Sequence, residues 1–256
     1  MKHIKKEYLF KEKKQDVKAM EKGEVFKISD PSIYRASKNK EAFINTEDDY
    51  VIKSIVFNNN GRKAIIPLPD LTLVYFDSAY NLNILRKEQE INLFNNILNK
   101  DDELKEVELN EIYRYYGYSS SCIISLFTSL ESFINHILPD LKPYVKKHSH
   151  KTEFFDKEQI QKGIKFDVKT KDVLPFYFDG KSYFKSPSKH TQHIMNLKNL
   201  RDEIVHPKSE ITFKNQEELV KKLLKFNYDD SFKAVAHFMN FYKTDYIKEC
   251  DCNADF

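Results

Sequence analysis

Five glycines in 256 residues leave this chain few places to turn tightly, and that scarcity constrains its fold more than any other feature. Glycine enters left-handed backbone at no steric cost, so sheet-and-turn architectures use it at hairpin after hairpin. The scarcity also removes the Gly-rich phosphate loops. There is no Gly-x-Gly-x-x-Gly and no Gly-x4-Gly-Lys, hence no dinucleotide fold and no P-loop. A mainly α chain is expected. Hydrophobic residues make up 41% of it, enough for one large domain, or a domain with a small accessory one. With 20 Phe, 15 Tyr and no Trp, the core should be Phe, Leu and Ile with Tyr at its margins.

Residues 49–76 have a texture of their own. The run 51–57 reads as a strand, 58–62 as a turn of residues that tolerate positive φ, and 64–67 and 71–76 as further strands. Pro67 and Pro69 confine these to sheet edges. Residues 1–22, dominated by Lys and Glu, read as a short surface helix or a frayed tail. The expectation is a small β-rich accessory region over 1–76 and a helical domain over 77–256.

After Asp77 the apolar spacing turns helical and stays so. Tyr80, Ile84, Leu85, Ile91, Phe94 and Leu98 follow a helical stripe over 78–99. Leu126, Leu130, Phe133, Ile134 and Ile137 share a face of a long helix over 108–138, stopped by Pro139. Gly117 and Ser119 to Ser121 are where that helix could bend. Further helices are expected at 188–206, with Ile194, Leu197, Leu200 and Ile204 inward, at 215–226, and at 230–247 with Asp230 as its cap. The stretch 140–187, holding Pro143, Gly163, Pro175, Gly180 and Pro187, reads as a long insertion with one short helix near 157–163. Its aromatic residues alternate with lysines, a mixture suited to stacking on unpaired bases. The plainer reading, and the favoured one, is that the same rings pin a long loop onto the core.

The chemistry-bearing stretch is Asn199-Leu200-Arg201-Asp202-Glu203-Ile204-Val205-His206-Pro207. Arginine grips phosphate with a planar fork of donors, and histidine gives and takes a proton near neutral pH. Five residues turn about 140° around a helix axis, so the two would not share a face. Pro207 disfavours helical backbone at His206 and should free it at the frayed helix end. Overall net charge is only +3, yet residues 140–200 hold 13 lysines against 7 acidic residues. That basic excess lies just upstream of the pair, where a polyanion would need it. The plainer reading is a solvated lysine surface, an Arg201 bridged to Glu131 or Glu203, and a His206 that complements the helix dipole.

Cys122 lies in an apolar helix and reads as core; Cys250 and Cys252 form a lone pair, weak as a zinc site. No metal and no cofactor are expected. This cysteine usage fits a reducing cytoplasm. The charged N-terminus leads into no apolar stretch, and no apolar run reaches about 18 residues, so neither a signal peptide nor a membrane partner is expected.

Two stretches resemble one family. The run Ser125-Leu126-Phe127-Thr128-Ser129-Leu130-Glu131-Ser132-Phe133-Ile134-Asn135 resembles the long early helix of HEPN (higher eukaryotes and prokaryotes nucleotide-binding) domains. Arg201 to His206 is similar to the Arg-x4-His motif that the family carries near the end of a later helix. The resemblance spans roughly 78–247 and leaves 1–76 unexplained. It implies an up-and-down helical bundle that pairs into a homodimer, with two such motifs facing each other. It further implies metal-independent cleavage of RNA in a toxin or phage-defence effector, with an antitoxin or a defence complex as partner. On that reading Arg201 holds the scissile phosphate and His206 is the general acid or base. Asp202 orients the histidine or crosses the dimer, and Glu131 and Asn135 support from the earlier helix. Lys146, Lys147, Lys185, Lys189 and Lys208 are the candidate RNA contacts. Lys208 also stands where a toxin subgroup has a modifiable tyrosine, which puts that form of neutralisation in doubt. The alternatives are a non-catalytic module that binds RNA or a nucleotide, and a helical protein-interaction module.

Overall fold

The computed structural model describes residues 4–17, 42–46, 49–99, 103, 105–207 and 212–250. It is mainly helical, with a small strand region near the N-terminus. Two compact units form: Lys6–Leu73, and Val74–Phe256 together with Met1–Lys5.

The smaller unit is a four-stranded antiparallel sheet of β1 (Lys11–Lys13), β2 (Ala42–Asn45), β3 (Tyr50–Asn59) and β4 (Arg62–Pro67). The long β3 is its centre. Ile52 pairs with Lys11 of β1 and with Ile44 of β2, and from Ser54 onward β3 also pairs with β4. Its hairpin to β4 forms as expected. Asn60 (φ 51°) and Gly61 (φ 86°) make a two-residue turn between the paired Asn59 and Arg62. Both need positive φ, which Asn tolerates and Gly adopts freely.

Two expectations for this region are corrected. Residues 71–76 are not a strand, because Leu71 opens α1 (Leu71–Asn92). The Asp70 carboxylate accepts the Thr72 N–H at 2.9 Å and starts the helix. Leu73, Phe76, Ala79 and Asn83 are then buried at helical spacing. The run is β-prone in composition, and this longer period overrides it. The unit boundary accordingly falls after Leu73 rather than after 76. Residues 11–13 form a strand and Lys14–Asp16 a single 3-10 turn, in place of a surface helix or a frayed tail. Residues 1–3 and 18–22 lie outside the described residues.

The larger unit continues α1 through a π turn, Leu93–Ile97, to α2 (Glu106–Ile137), which runs unbroken past Gly117. A hairpin of β5 (Tyr144–Lys147) and β6 (Thr152–Phe155) follows, then α3 (Lys157–Gly163). Next come α4 (Phe166–Val168), a second π turn at Lys169–Val173, and α5 (Leu174–Tyr177). The chain closes with α6 (Lys189–Val205), α7 (Phe213–Lys225) and α8 (Tyr228–Tyr242). Helices α2, α6 and α8 pack together around Leu130, Phe133, Leu197, Leu200, Phe238 and Met239, all buried. Each such side chain contributes about 1.5–3 kcal/mol by leaving water. Phe76 and Tyr80 of α1 meet Phe232 of α8 edge-on at 5.6 and 5.5 Å. No described helix is long and apolar enough to cross a membrane.

Two more corrections concern this unit. The 140–187 stretch holds a hairpin, three short helices and a π turn rather than one short helix, while its rings mostly pin it onto the core, the plainer of the two expectations. Phe166 packs on Phe127 and Phe184, Phe178 on Tyr242, and Tyr183 on Phe238. Phe154 alone of the rings in β6 stays well exposed. Asn227, not Asp230, caps α8: its side chain accepts the Asp230 N–H at 3.2 Å. The helix therefore starts two residues earlier than expected, and it ends at Tyr242 rather than 247.

Candidate functional site

Helix α6 carries both members of the Arg201–His206 pair, and it holds them differently. Ser188 caps its start by accepting the Thr191 N–H at 3.1 Å. The buried stripe of Ile194, Leu197 and Leu200 then seats it in the core.

Arg201 is half-buried against α2. Its guanidinium carbon lies 5.2 Å over the Phe127 ring, an attraction of about 0.5–2 kcal/mol. Nη1 donates to Asp202 Oδ1 at 3.1 Å, and Nη2 stands 3.7 Å from Glu131 Oε2. The second distance is too long for a good hydrogen bond, so Glu131 acts on Arg201 by charge. Nε is buried with no hydrogen-bond partner among the described residues. Phe127, Glu131 and Asn135 stand at i, i+4 and i+8, one stripe of α2. Of the two carboxylates that could bridge Arg201, Glu203 turns away and pairs with Lys222 at 2.7 Å.

Within the chain the Asp202 carboxylate engages two cations rather than His206. Oδ2 accepts from Lys198 Nζ at 3.0 Å while Oδ1 accepts from Arg201. Burial alone would raise its pKa, but the hydrogen bonds from Lys198 and Arg201 outweigh it and hold the carboxyl below its ordinary value. Helical side chains lean toward the N-terminus, which carries this carboxylate to Lys198 and away from His206. Its link to His206 is through the backbone: the Asp202 carbonyl accepts the His206 N–H at 2.9 Å.

His206 ends α6 with φ −122° and ψ 69°, outside the helical region. Pro207 accounts for this, since its ring crowds a helical conformation at the preceding residue. The side chain is exposed and makes no hydrogen bond among the described residues.

Glu131 and Asn135 reach a cation that the sequence reading missed. Lys169 is only 6% exposed, at the start of the second π turn. Its Nζ donates to Asn135 Oδ1 at 3.2 Å and to the Gln161 carbonyl at 3.0 Å. Burial lowers its pKa, and the nearby Glu131 charge draws it partly back up. Glu131 thus faces two cations, Arg201 and Lys169, from two different segments. No spacing in the sequence marks Lys169, because its place depends on 157–177 folding back on α2. A buried ammonium is costly unless paired, and π turns recur where proteins place functional groups.

The described lysines expected to contact RNA lie on α6, just ahead of it, and on β5. Lys189 stands twelve residues before Arg201, about 18 Å away along the helix, with its Nζ 3.9 Å from Asp230. Lys185 is exposed just ahead of α6, and Lys146 and Lys147 belong to β5. None of these four forms an ion pair with Glu131 or Asp202 among the described residues. Lys208 lies outside the described residues.

The opposite end of α6 holds a second titratable group. The His190 and His237 rings lie 4.5 Å apart, Tyr183 Oη and His237 Nδ1 are 2.9 Å apart, and His193 Nε2 stands 3.7 Å from Asp230. Burial, then the neighbouring His190, lowers the His237 pKa, and burial raises that of Tyr183. Among the described residues no three His, Cys, Asp or Glu side chains group so as to hold a metal ion. Cys122 is buried in the core, its thiol pushed up to about 12 by burial, and so is no nucleophile. Cys252 lies outside the described residues.

No family model, no curated protein and no solved structure matches this chain.

Proposed function

We propose that the chain is a metal-independent endoribonuclease, a HEPN-like bundle of up-and-down helices that works as a homodimer. The observation that carries this reading is the unequal mounting of the pair on α6. Arg201 is braced on α2 by Phe127 and Glu131, while His206 is exposed on non-helical backbone before Pro207. A braced guanidinium suits the fixed charge that builds on a scissile phosphate, and an exposed imidazole suits proton transfer. In the reaction the RNA 2′-oxygen gives up its proton to a base and bonds to phosphorus. The bond from phosphorus to the 5′-oxygen breaks, and that oxygen takes a proton from an acid. The products are a 2′,3′-cyclic phosphate and a 5′-hydroxyl, so DNA is left intact. One base and one acid are called for, and two copies of the chain supply two histidines. A toxin or phage-defence role, with an antitoxin or defence-complex partner, follows from the same resemblance. The lysine at 208 stands where a toxin subgroup has a modifiable tyrosine, which argues against that form of neutralisation.

A second reading rests on Arg201 itself. Its engagement with Asp202 and Glu131 suits a structural arginine in a non-catalytic module that binds RNA or a nucleotide. Incubation with total RNA in EDTA separates the two. Cleavage by the intact chain that is lost in both His206→Ala and Arg201→Ala supports the enzyme. Undiminished cleavage by His206→Ala would sink it, and RNA binding without cleavage would favour the second reading.

A further inference from the structure

A cleft between α6 and α7 plays no part in the site described above. Its volume is about 520 Å³, and small-ligand sites fall at about 300–1,000 Å³. Leu200 and Phe226 supply its apolar surface, and Asn196 and Asn199 stand along its α6 side. Three lysines of α7 line the other side. The only acid among the described lining residues, Glu203, is already held by Lys222 through both oxygens at 2.7 Å. Lys221 pairs with Glu217 along its own helix. Lys225 forms no ion pair among the described residues. Among the described residues the cleft therefore offers the unpaired ammonium of Lys225 beside the apolar side chains of Leu200 and Phe226.

The amides differ in what they have left to give. Asn227, at the end of the cleft, is spent on capping α8. Asn196 accepts from Gln192 at 2.8 Å, which leaves its two N–H donors. Asn199 makes no side-chain hydrogen bond among the described residues. Amide side chains suit the in-plane donor and acceptor edge of a nucleobase, aromatic rings its face, and lysine its phosphate. An acidic peptide would use the lysines but not this edge-and-face arrangement.

The position on α6 is informative too. Asn199 and Glu203 precede His206 by seven and three residues, about 20° and 60° from it around the axis. Arg201 lies on the far side. The cleft thus flanks the side of α6 that leads to His206.

We propose that this cleft binds one unpaired nucleotide, its base against Leu200 and Phe226, its edge read by Asn196 and Asn199, and its phosphate at Lys225. That the nucleotide belongs to an RNA strand rests on the function proposed above; the cleft chemistry does not. On that basis the cleft selects which base lies next to the cut.

The test is binding, kept apart from cleavage by using 2′-O-methyl RNA hexamers, which have no free 2′-hydroxyl to attack. Fluorescence anisotropy on the full chain compares an intact hexamer, the same hexamer with one abasic position, AMP, and a glutamate decapeptide. Asn199→Ala and Lys225→Ala should each weaken the intact hexamer about tenfold, with unchanged melting temperature. The abasic hexamer should bind wild type as weakly as Asn199→Ala binds the intact one, and Asn199→Ala should not distinguish the two. Competition by AMP assigns the site to free nucleotides; failure of AMP to compete assigns it to strands. Equal binding of intact and abasic hexamers overturns the proposal, as does displacement by the decapeptide but not by AMP or the abasic competitor. The 2′-O-methyl hexamer cannot be cut, so a failed cleavage reading leaves this result standing.

Discussion

The two ends of α6 are equally rich in groups that titrate or grip phosphate, yet they are built on opposite plans. At the N-terminal end every histidine has a neighbour: His190 lies against His237, His237 against Tyr183, and His193 near Asp230. At the C-terminal end the arginine is braced and the histidine is left exposed on irregular backbone. A histidine whose ring is packed and hydrogen-bonded is a structural part. One held only by its backbone keeps the freedom a proton carrier needs. The difference comes from the neighbours, since α8 runs along the first end while Pro207 cuts off the second.

The comparison can be broken most decisively by activity. His206→Ala should reduce EDTA-resistant RNA cleavage by about 10²–10⁴-fold, while His190→Ala and His237→Ala leave it intact. Equal losses at both ends would erase the distinction. Stability comes next. Phe127 is 1% exposed beneath Arg201, and Phe127→Ala should cost about 3–5 kcal/mol in urea unfolding. A smaller effect is expected at Lys169. Lys169→Ala strips donors from Asn135 and from the Gln161 carbonyl, a loss of about 1–3 kcal/mol. Glu131→Gln in the same chain should restore part of it, which a double-mutant cycle measures; strict additivity would mean that Glu131 and Lys169 are not coupled.

The smallest effect is in pH. The fold lowers the His237 pKa, so below its ordinary value of about 6.5 the unfolded chain binds the proton first. The stability this group contributes is present above that value and is lost as pH falls through its folded pKa. Melting temperatures between pH 8 and pH 5 should therefore decline more steeply in wild type than in His237→Gln. Identical slopes would mean that the packed pair at this end of α6 does not respond to protons.

Much of the helical layout was legible because it depends on local period. Ser188, Leu197 and Leu200 mark α6 within a residue, and Pro139 stops α2 where its ring requires. The run 71–76 misled because its β-prone side chains are local, while its burial follows a helix that extends far beyond it. At the site, Arg201 and His206 stood out by residue type and by the proline. Glu131 was legible as a neighbour on the matching stripe of α2. Lys169 was not, because nothing within its own segment says that the segment folds back on α2. The lysines at 146, 147, 185 and 189 stand out by charge density, a property of the chain that carries no information about direction.

Cys122 gives the molecule a built-in reporter. Its thiol lies on the buried face of α2 and is pushed up to about 12, so a thiol-alkylating reagent gains it only when that helix leaves the core. The rate at which Cys122 is modified, set against the prompt reaction of any accessible cysteine near the C-terminus, is a clock for the opening of the whole helical unit. It needs no label, no spectroscopic probe and no RNA.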